Sequence, residues 1–230
     1  MLQAVVFDFD GVLANSEPLH LRAFQAALAE DGLALRAQEY YEQYLGYDDE
    51  GVFRRMAAAN GAADREAWVA RMVARKAAHM RALLDGGAPL FPDVEACVRA
   101  LAARVPVGVA SGAIRDEIVS VLTAAGLADA FTAIVAAGET PRSKPAPDPY
   151  RRAVELIASA TGVPIDPRSV VAVEDSSQGL LAARAAGLRT VALTTTCRAF
   201  QPGLADLVLP GLGSVTFERL SALCARNGAS

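Results

Sequence analysis

Short hydrophobic runs alternate with longer Ala-rich stretches along most of the chain. The runs are rich in β-branched residues, and segment 170–173 is apolar at every position rather than at every second one. An uninterrupted apolar run of this length is typical of a strand in a parallel sheet that is covered on both faces. The predicted strands are 4–9, 105–110, 133–136, 170–173, 190–193 and 207–209.

The Ala-rich stretches between these runs have apolar residues at helical spacing. Gly126 and Gly187 follow two of the stretches, where a helix commonly ends in a left-handed residue. Strands that alternate with helices of this length form βαβ units, so the pattern predicts an α/β fold with a doubly wound parallel sheet. The predicted helices are 94–104, 116–126, 150–161 and 179–186.

One segment breaks this alternation. Residues 15–88 contain no strand pattern, only helical stretches, and the first of these begins at Asn15 or Ser16 with Pro18 near its first turn. We therefore predict a core formed by residues 1–14 and 90–230, with an all-helical domain of residues 15–89 inserted after the first strand. The two crossings, near residues 14–17 and 85–92, are expected to act as hinges.

Composition and charge exclude several classes of protein. The net charge of −4 and the pI of about 5.3 disfavour a nucleic-acid binder. The longest stretch without a charge falls short of the roughly 18 residues of a membrane span, and the N-terminus lacks the basic start of a signal peptide. Cys97, Cys197 and Cys224 have no metal-ligand spacing and are predicted to be buried or free thiols, so we expect a cytoplasmic protein.

Two carboxylates stand at the end of the first predicted strand. Asp8 and Asp10 are two residues apart, so in a strand they point to the same side. Neighbouring carboxylates are costly to bury unless they share a cation or a proton, and open α/β sheets bind ligands at this end of their strands. An isolated Asp-x-Asp is more often a simple turn, so the pair does not define a site by itself.

Three later segments add to this pair, although each alone resembles an ordinary turn. Glu174 and Asp175 follow the fourth predicted strand, and four acids at one sheet edge predict an oxygen-rich site suited to Mg²⁺. Ser111 and Gly112 end the second strand with a hydroxyl and a turn whose N–H groups can bind a phosphate oxygen. A proline-rich loop carries Lys144, whose ammonium can hold both a phosphate group and the acids.

In this order, the segments resemble the four-motif signature of the haloacid dehalogenase superfamily. The resemblance extends from residue 4 to about residue 193. The stretch 8–20, DFDGVLANSEPLH, is similar to the subgroup of β-phosphoglucomutase and the phosphoglycolate-type phosphatases. The resemblance implies a Rossmann-like core with an all-helical cap domain inserted after the first motif. The matching positions are Asp8-Phe9-Asp10-Gly11-Val12, Ser111, Lys144-Pro145 and Glu174-Asp175.

The resemblance also implies a role for each acid. Asp8 is expected to be the nucleophile that forms an aspartyl-phosphate. Asp10 is expected to protonate the leaving oxygen and then to activate water as a base. Mg²⁺ is expected to be held by Asp8, the main-chain carbonyl of Asp10, Asp175 and Glu174, where it offsets the charge on the transferred phosphoryl group.

The phosphate group itself is expected to contact Ser111, Gly112 and Lys144. The Lys144–Pro145 bond is a candidate for a cis peptide, as is common at this motif in the superfamily. Within the superfamily, an acid at the position of Asp10 distinguishes enzymes that act on phosphate esters from other members. The dehalogenases and the phosphonate-cleaving members lack an acid at that position. The presence of Asp10 favours phosphate esters as substrates.

The chain has only two lysines among its 22 basic residues, Lys144 and Lys76, and Lys76 interrupts an apolar stripe. Residues 64–84 are predicted to form one amphipathic helix, with Lys76 in the middle of its apolar face. A long stem that covers apolar surface while the ammonium reaches solvent is one interpretation. The other, which a cap lysine of the related mutases favours, is that Lys76 points toward an anionic substrate. The stripe consists of Val69, Met72, Val73, Met80 and Leu83.

Two further positions in the predicted cap relate to the mutases. A matching histidine in those enzymes helps to position the general acid, so His20 is expected to support Asp10, although it also fits a half-buried polar contact. Asp49 stands where the mutases have a substrate-binding arginine, and an acid cannot make that phosphate contact, whereas Arg54 or Arg55 could. This departure favours a phosphatase over a mutase.

These observations predict a Mg²⁺-dependent phosphatase that hydrolyses a phosphate monoester of a small metabolite. We expect a monomer with no nucleic-acid or membrane partner. The alternatives are a sugar phosphomutase of the β-phosphoglucomutase type and, more remotely, a catalytically idle binding protein with the same fold. All four acids of the signature are present, which argues against the idle protein.

Overall fold

One parallel sheet is built from the hydrophobic segments of the sequence. The strands lie in the order β3-β2-β1-β4-β5-β6. Residues 1–45, 47–60, 65–84, 90–196, 200 and 203–225 are described in the structure, which is a computed structural model. The strands are β1 (Ala4–Phe7), β2 (Val107–Ala110), β3 (Phe131–Val135), β4 (Val170–Glu174), β5 (Arg189–Leu193) and β6 (Leu207–Leu209).

The strand order reverses beside β1. Phe7 pairs with Val109 of β2 on one side and with Val173 of β4 on the other, so the carboxyl ends of three strands lie next to one another. Every residue of β1, β2 and β4 is buried, which confirms the prediction that 170–173 is a central strand. In open α/β sheets, ligands bind outside the strand ends at such a reversal.

Helices connect the strands and form a separate group within residues 16–88. Contacts divide the chain into two units, which we call the core (Met1–Asn15 and Pro89–Ser230) and the helical insert (Ser16–Ala88). The insert contains α1 (Glu17–Ala29), α2 (Ala37–Gln43), α3 (Asp49–Asn60) and α4 (Arg65–Leu84). The core contains α5 (Val94–Ala102), α6 (Arg115–Ala124), α7 (Asp148–Thr161), α8 (Ser177–Ala185) and α9 (Phe217–Ala225).

Each unit has its own apolar interior. In the core, Tyr150 and Ile157 of α7 pack against the sheet together with Ala and Val side chains of the strands. In the insert, Phe24, Phe53 and Met72 bring α1, α3 and α4 together. None of the helices in the described part of the chain is long and apolar enough to cross a membrane.

The predicted elements are confirmed, but several of their ends shift. The first strand stops at Phe7 rather than at residue 9, because the chain turns there and the Phe9 carbonyl accepts the N–H of Leu13. The second strand starts two residues later than predicted, after Pro106, which has no N–H for a ladder. Helix α7 starts two residues earlier, since Pro149 fits a first helical turn. Helix α9 lacks a counterpart among the predicted elements.

The glycine and cysteine predictions can be compared with the structure directly. Gly126 and Gly187 have positive φ angles of 65° and 88°, as their positions after α6 and α8 predict. Cys97 is a buried free thiol, and burial raises its pKa to about 12. Cys224 is also free and is half-buried. Cys197 lies outside the described residues.

Candidate active site

The turn that follows β1 carries Asp8 and Asp10. The Asp8 N–H still continues the sheet by donating to the carbonyl of Val173 at 2.9 Å, while the side-chain Oδ1 accepts the N–H of Phe9 at 2.7 Å. The chain then reverses at Gly11, whose φ is +75°. Asp8 is buried and Asp10 is half-buried, so the sequence Asp-x-Asp-Gly places both acids in one tight turn at the sheet edge.

The end of β4 supplies two further acids. Glu174 is completely buried, and its Oε2 accepts from the hydroxyl of Ser176 at 3.1 Å. Asp175 accepts a hydrogen bond from the hydroxyl of Thr196. The Asp175 carboxylate lies so close to the main chain of Gly11 that a Cβ there would overlap it. This close approach, together with the positive φ, explains why glycine follows Asp10.

Lys144 lies between these two groups of acids. Its ammonium is 3.0 Å from Asp8 Oδ1 and 2.6 Å from Glu174 Oε1. The Lys144–Pro145 bond is cis, as predicted. The loop is closed by Arg142, which forms an ion pair with Asp148 at 2.8 Å. The structure therefore brings together the nucleophile candidate and the lysine that the sequence singles out.

The charges in this cluster change the protonation of its members. Burial raises the pKa of Asp8 to about 7, and repulsion from Glu174 and Asp10 adds to the effect of burial although Lys144 opposes it. Burial alone would lower the pKa of Lys144, but the carboxylates of Asp8 and Glu174 outweigh it and raise that pKa. The Lys144 ammonium therefore keeps its charge, but its single positive charge does not balance the carboxylates around it.

The acids are close enough to hold a cation. Asp8, Glu174 and Asp175 each offer a carboxylate oxygen, and these oxygens lie within 4.8 Å of one another. Hard divalent cations such as Mg²⁺ prefer oxygen ligands of this kind. Glu174 also fits tightly against the first turn of α8, where a Cβ on Gly179 would overlap its carboxylate. The donor set therefore fits a divalent cation.

Ser111 and Gly112 follow β2 at the same sheet edge. Ser111 is buried, and its Oγ accepts the N–H of Ala113 at 3.0 Å, which leaves the hydroxyl proton for another acceptor. The main-chain N–H of Ser111 donates to the carbonyl of Val135, so this N–H is not a phosphate donor. Gly112 is exposed with open space beside its Cα, so its N–H is the remaining main-chain candidate in this pair.

In the helical insert, the structure places Lys76 and His20 side by side. Lys76 is only 3% exposed, so the interpretation in which its ammonium reaches solvent is wrong. Instead, the ammonium is 2.9 Å from Asp49 and 2.9 Å from His20 Nδ1, and it lies 5.2 Å above the ring of Phe24. Because an ammonium can only donate, Nδ1 accepts and the imidazole proton is on Nε2. The support of Asp10 by His20 and the substrate contact of Lys76 stay predictions.

The two arginines that were considered as phosphate ligands in the insert already have partners. Arg54 forms ion pairs with Glu50 at 2.7 Å and with Glu66 at 2.5 Å. Arg55 donates to the hydroxyl of Tyr47 at 2.5 Å. The negative partners reduce the attraction of Arg54 for a phosphate group.

Sequence reasoning missed three residues that contact the candidate site. The hydroxyl of Tyr150 donates to Glu174, that of Thr196 to Asp175, and that of Thr195 to the carbonyl of Gly11 at 2.6 Å. The two threonines follow β5, and a run of hydroxyl residues at a strand end was a usable signal. The sequence pattern predicts only that Tyr150 is a core aromatic residue of an amphipathic helix. It does not indicate which group the Tyr150 hydroxyl contacts.

Comparison with known proteins agrees with this geometry. Protein CbbY (plasmid) of Cupriavidus necator is 34% identical to this chain, over 92% of the chain and 86% of the relative. Hexitol phosphatase B of Escherichia coli K12 is 32% identical, over 94% and 96%. The crystal structure of a CbbY mutant from Rhodobacter sphaeroides in complex with xylulose-1,5-bisphosphate superposes with a TM-score of 0.75 at 28% identity, and covers 93% of this chain and 96% of that one.

The fold and the acid cluster define a phosphoric monoester hydrolase with a Rossmann-like α/β core. The chain belongs to the haloacid dehalogenase-like hydrolases, whose family model matches residues 5–193. The resemblance that the motifs carry is thereby confirmed, and the similarity to hexitol phosphatase B extends through the helical insert as well as the core.

Proposed function

We propose that this protein is a Mg²⁺-dependent phosphatase that hydrolyses a small phosphate monoester through an aspartyl-phosphate on Asp8. One observation carries the proposal. A buried carboxylate, Asp8, lies 3.0 Å from the ammonium of the half-buried Lys144, and within 4.8 Å of two further carboxylates. This arrangement offers a nucleophile, a partner for phosphate oxygens and a place for a cation at the neighbouring ends of β1 and β4.

The cation would be held by Asp8, Asp175 and the main-chain carbonyl of Asp10, with Glu174 beside them. When bound, Mg²⁺ supplies charge neutralisation for the phosphoryl oxygens. Three carboxylates face a single ammonium in this cluster, so the chain's own residues leave an excess of negative charge that would repel an anionic substrate. The proposed cation requirement follows from that excess.

In the first step, Asp8 attacks the phosphorus atom. Both donors to Asp8 named above, the Phe9 N–H and the Lys144 ammonium, contact Oδ1, so we assign the attack to Oδ2. The bond between Oδ2 and phosphorus forms as the ester bond breaks, and Asp10 gives its proton to the leaving oxygen. Lys144 and the hydroxyl of Ser111 donate to the phosphoryl oxygens, where negative charge is highest.

In the second step, water hydrolyses the aspartyl-phosphate. Asp10 is now ionised and takes a proton from the water, whose oxygen bonds to phosphorus as the bond to Asp8 breaks. The products are inorganic phosphate and the original Asp8 carboxylate, and Asp10 is again protonated. Covalent catalysis of this kind divides one difficult displacement into two easier ones.

The relatives favour a phosphorylated sugar or sugar alcohol as the substrate class. One is named hexitol phosphatase B, and a CbbY structure holds xylulose-1,5-bisphosphate. Within the insert of this chain, Lys76 forms an ion pair with Asp49, so the carboxylate already balances the positive charge of that lysine. We therefore extend the proposal to a monophosphate of a polyol or sugar.

The proposal is tested by turnover of an aryl phosphate with and without Mg²⁺. We expect phosphate release that needs Mg²⁺ and that falls by about 10⁴-fold or more in Asp8→Asn, since removing a nucleophile abolishes most of the catalysis. Asp129→Asn, an exposed acid of the core, is the matched control and is expected to keep the wild-type rate. An Asp8→Asn enzyme with the wild-type rate would contradict the proposal.

A second assay distinguishes the proposed phosphatase from a mutase and from an idle binding protein. With β-glucose 1-phosphate and a bisphosphate primer, a mutase accumulates the 6-phosphate isomer, whereas the proposed phosphatase releases free phosphate. A panel of hexitol and sugar monophosphates then identifies the preferred substrate by its kcat/KM. Absence of turnover with every ester, combined with tight binding of one of them, would favour the idle binding protein.

A further inference from the structure

Tyr150 contacts the candidate active site through Glu174, although the sequence did not predict it as a site residue. It stands in the first turn of α7 and is completely buried, with its ring among the Ala and Val side chains that cover the sheet. The packing of that helix against the core therefore fixes the ring. Its hydroxyl is the polar end of an otherwise apolar contact.

The hydroxyl and the ring of Tyr150 both reach the Lys144 ion pairs. The hydroxyl donates to Glu174 Oε1 at 2.5 Å, and the Lys144 ammonium contacts the same oxygen at 2.6 Å. The ammonium also lies 5.1 Å from the centre of the Tyr150 ring, within the range of a cation–π contact. One carboxylate oxygen and one ring face thus locate the ammonium from two sides.

Glu174 could not hold this geometry as firmly without the phenol. Its other oxygen, Oε2, accepts from the Ser176 hydroxyl and from main-chain N–H groups, which fixes only one end of the carboxylate. At Oε1 the two donors are Lys144 and Tyr150. If the phenol hydroxyl were removed, Lys144 would remain as the donor at that end, and the carboxylate could follow the movement of the lysine.

We propose that Tyr150 is a positioning residue, whose hydroxyl anchors Glu174 and whose ring supports the ammonium, so that Lys144 points at Asp8. This inference rests on the proposed function of Lys144 as a phosphate ligand. Tyr150 touches neither the substrate nor Asp8 in this account. It acts through Glu174 and Lys144.

The test is a double-mutant cycle that measures the affinity for inorganic phosphate by calorimetry in the presence of Mg²⁺. Tyr150→Phe keeps the ring and removes the hydroxyl. We expect its phosphate affinity to fall by about three- to tenfold, which lies in the lower part of the range of coupling between neighbouring groups in one network. In Lys144→Met, adding Tyr150→Phe is expected to change the affinity by less than about twofold, because the anchored group is absent. If Lys144→Met does not fold, Lys144→Gln, which also removes the positive charge, replaces it.

Tyr40→Phe is the matched control. Tyr40 is another buried tyrosine, in α2, and its hydroxyl donates to Glu17 at 2.5 Å, the same distance as in the Tyr150 pair. The control therefore removes an equivalent phenol–carboxylate bond in the helical insert. We expect it to lower the melting temperature and to leave the phosphate affinity unchanged.

The outcomes separate this inference from the proposed function. Wild-type affinity in Tyr150→Phe, or the same loss with and without Lys144, would overturn the positioning role even if the enzyme turns over an aryl phosphate normally. Failure of the wild-type protein to turn over any ester would overturn the proposed function, while a phosphate affinity that depends on Tyr150 only when Lys144 is present would still support the positioning role.

Discussion

The two lysines of the chain both form ion pairs away from open solvent, Lys76 buried and Lys144 half-buried, but their surroundings differ in charge. In the helical insert, Lys76 faces one carboxylate, Asp49, so the pair is balanced. In the core, Lys144 faces Asp8 and Glu174 directly, and Asp175 offers a third carboxylate nearby. When all are ionised, the core cluster has two negative charges in excess, whereas the insert pair has none.

This difference indicates which lysine belongs to a site for charged ligands. A balanced buried pair satisfies its own electrostatics and needs nothing further. An unbalanced cluster is stabilised by a proton or a cation. Burial raises the pKa of Asp8 to about 7, and repulsion from the neighbouring Glu174 adds to that effect. The excess of negative charge around Lys144 therefore supports the proposal that this lysine, rather than Lys76, acts beside a cation and a phosphate group.

Among the tests of this comparison, the largest effect is expected from replacing each lysine in turn. Lys144→Met is expected to lower kcat/KM for an aryl phosphate by about 10³-fold, because a charged donor to the transferring phosphoryl group is lost. Lys76→Met is expected to change it by less than about tenfold, since Asp49 already neutralises that ammonium. The measurement is steady-state kinetics on both variants with the same substrate.

Equal losses in the two variants would break the comparison. In that case Lys76 would contribute to phosphate binding as much as Lys144 does. Thermal melting of both variants shows whether a loss of folded protein accounts for any loss of activity.

A smaller effect is expected on the affinity for a divalent cation. Asp175→Asn is expected to weaken Mn²⁺ binding by about 10²-fold, because it removes one carboxylate from the unbalanced cluster. Asp49→Asn, the same substitution in the balanced pair, is expected to leave it within about twofold. The measurement is the free Mn²⁺ signal in electron paramagnetic resonance, which does not depend on turnover.

Mn²⁺ binding that is unaffected by Asp175→Asn would place the cation elsewhere. Binding that is weakened equally by both substitutions would indicate that the charge balance of the two clusters does not decide where a cation binds.

The central strands β1, β2 and β4 could be predicted because every residue in them is buried. A fully apolar run such as 170–173 fits few environments other than a strand that is covered on both faces. The ends of the strands could not be predicted to the residue, since hydrogen bonds that form only in the folded chain decide several of them. At β1 the Asp8 carboxylate accepts the N–H of Phe9 and the chain turns, although Phe9 itself is apolar and buried.

The clustering of the acids with Lys144 could be predicted because the acids stand at strand ends that meet at one sheet edge, and because lysine is rare in this chain. The environment of Lys76 could not, since a lysine on an apolar face fits both a solvent-reaching stem and a buried ion pair. Its partner Asp49 lies 27 positions away, on another helix. Tyr150 was hidden for the same reason, because the contact of its hydroxyl with Glu174 exists only in the folded chain.

The central claim, that the unbalanced core cluster reacts through Asp8, is tested most directly by trapping the aspartyl-phosphate. The enzyme is mixed with excess aryl phosphate and Mg²⁺, quenched within the first turnovers and reduced with borohydride, which converts an aspartyl-phosphate to homoserine. Peptide mass spectrometry then locates the change. We predict homoserine in place of Asp8 in the wild-type protein and its absence without substrate. An unmodified Asp8 in an enzyme that is turning over, or homoserine at another aspartate, would contradict the account.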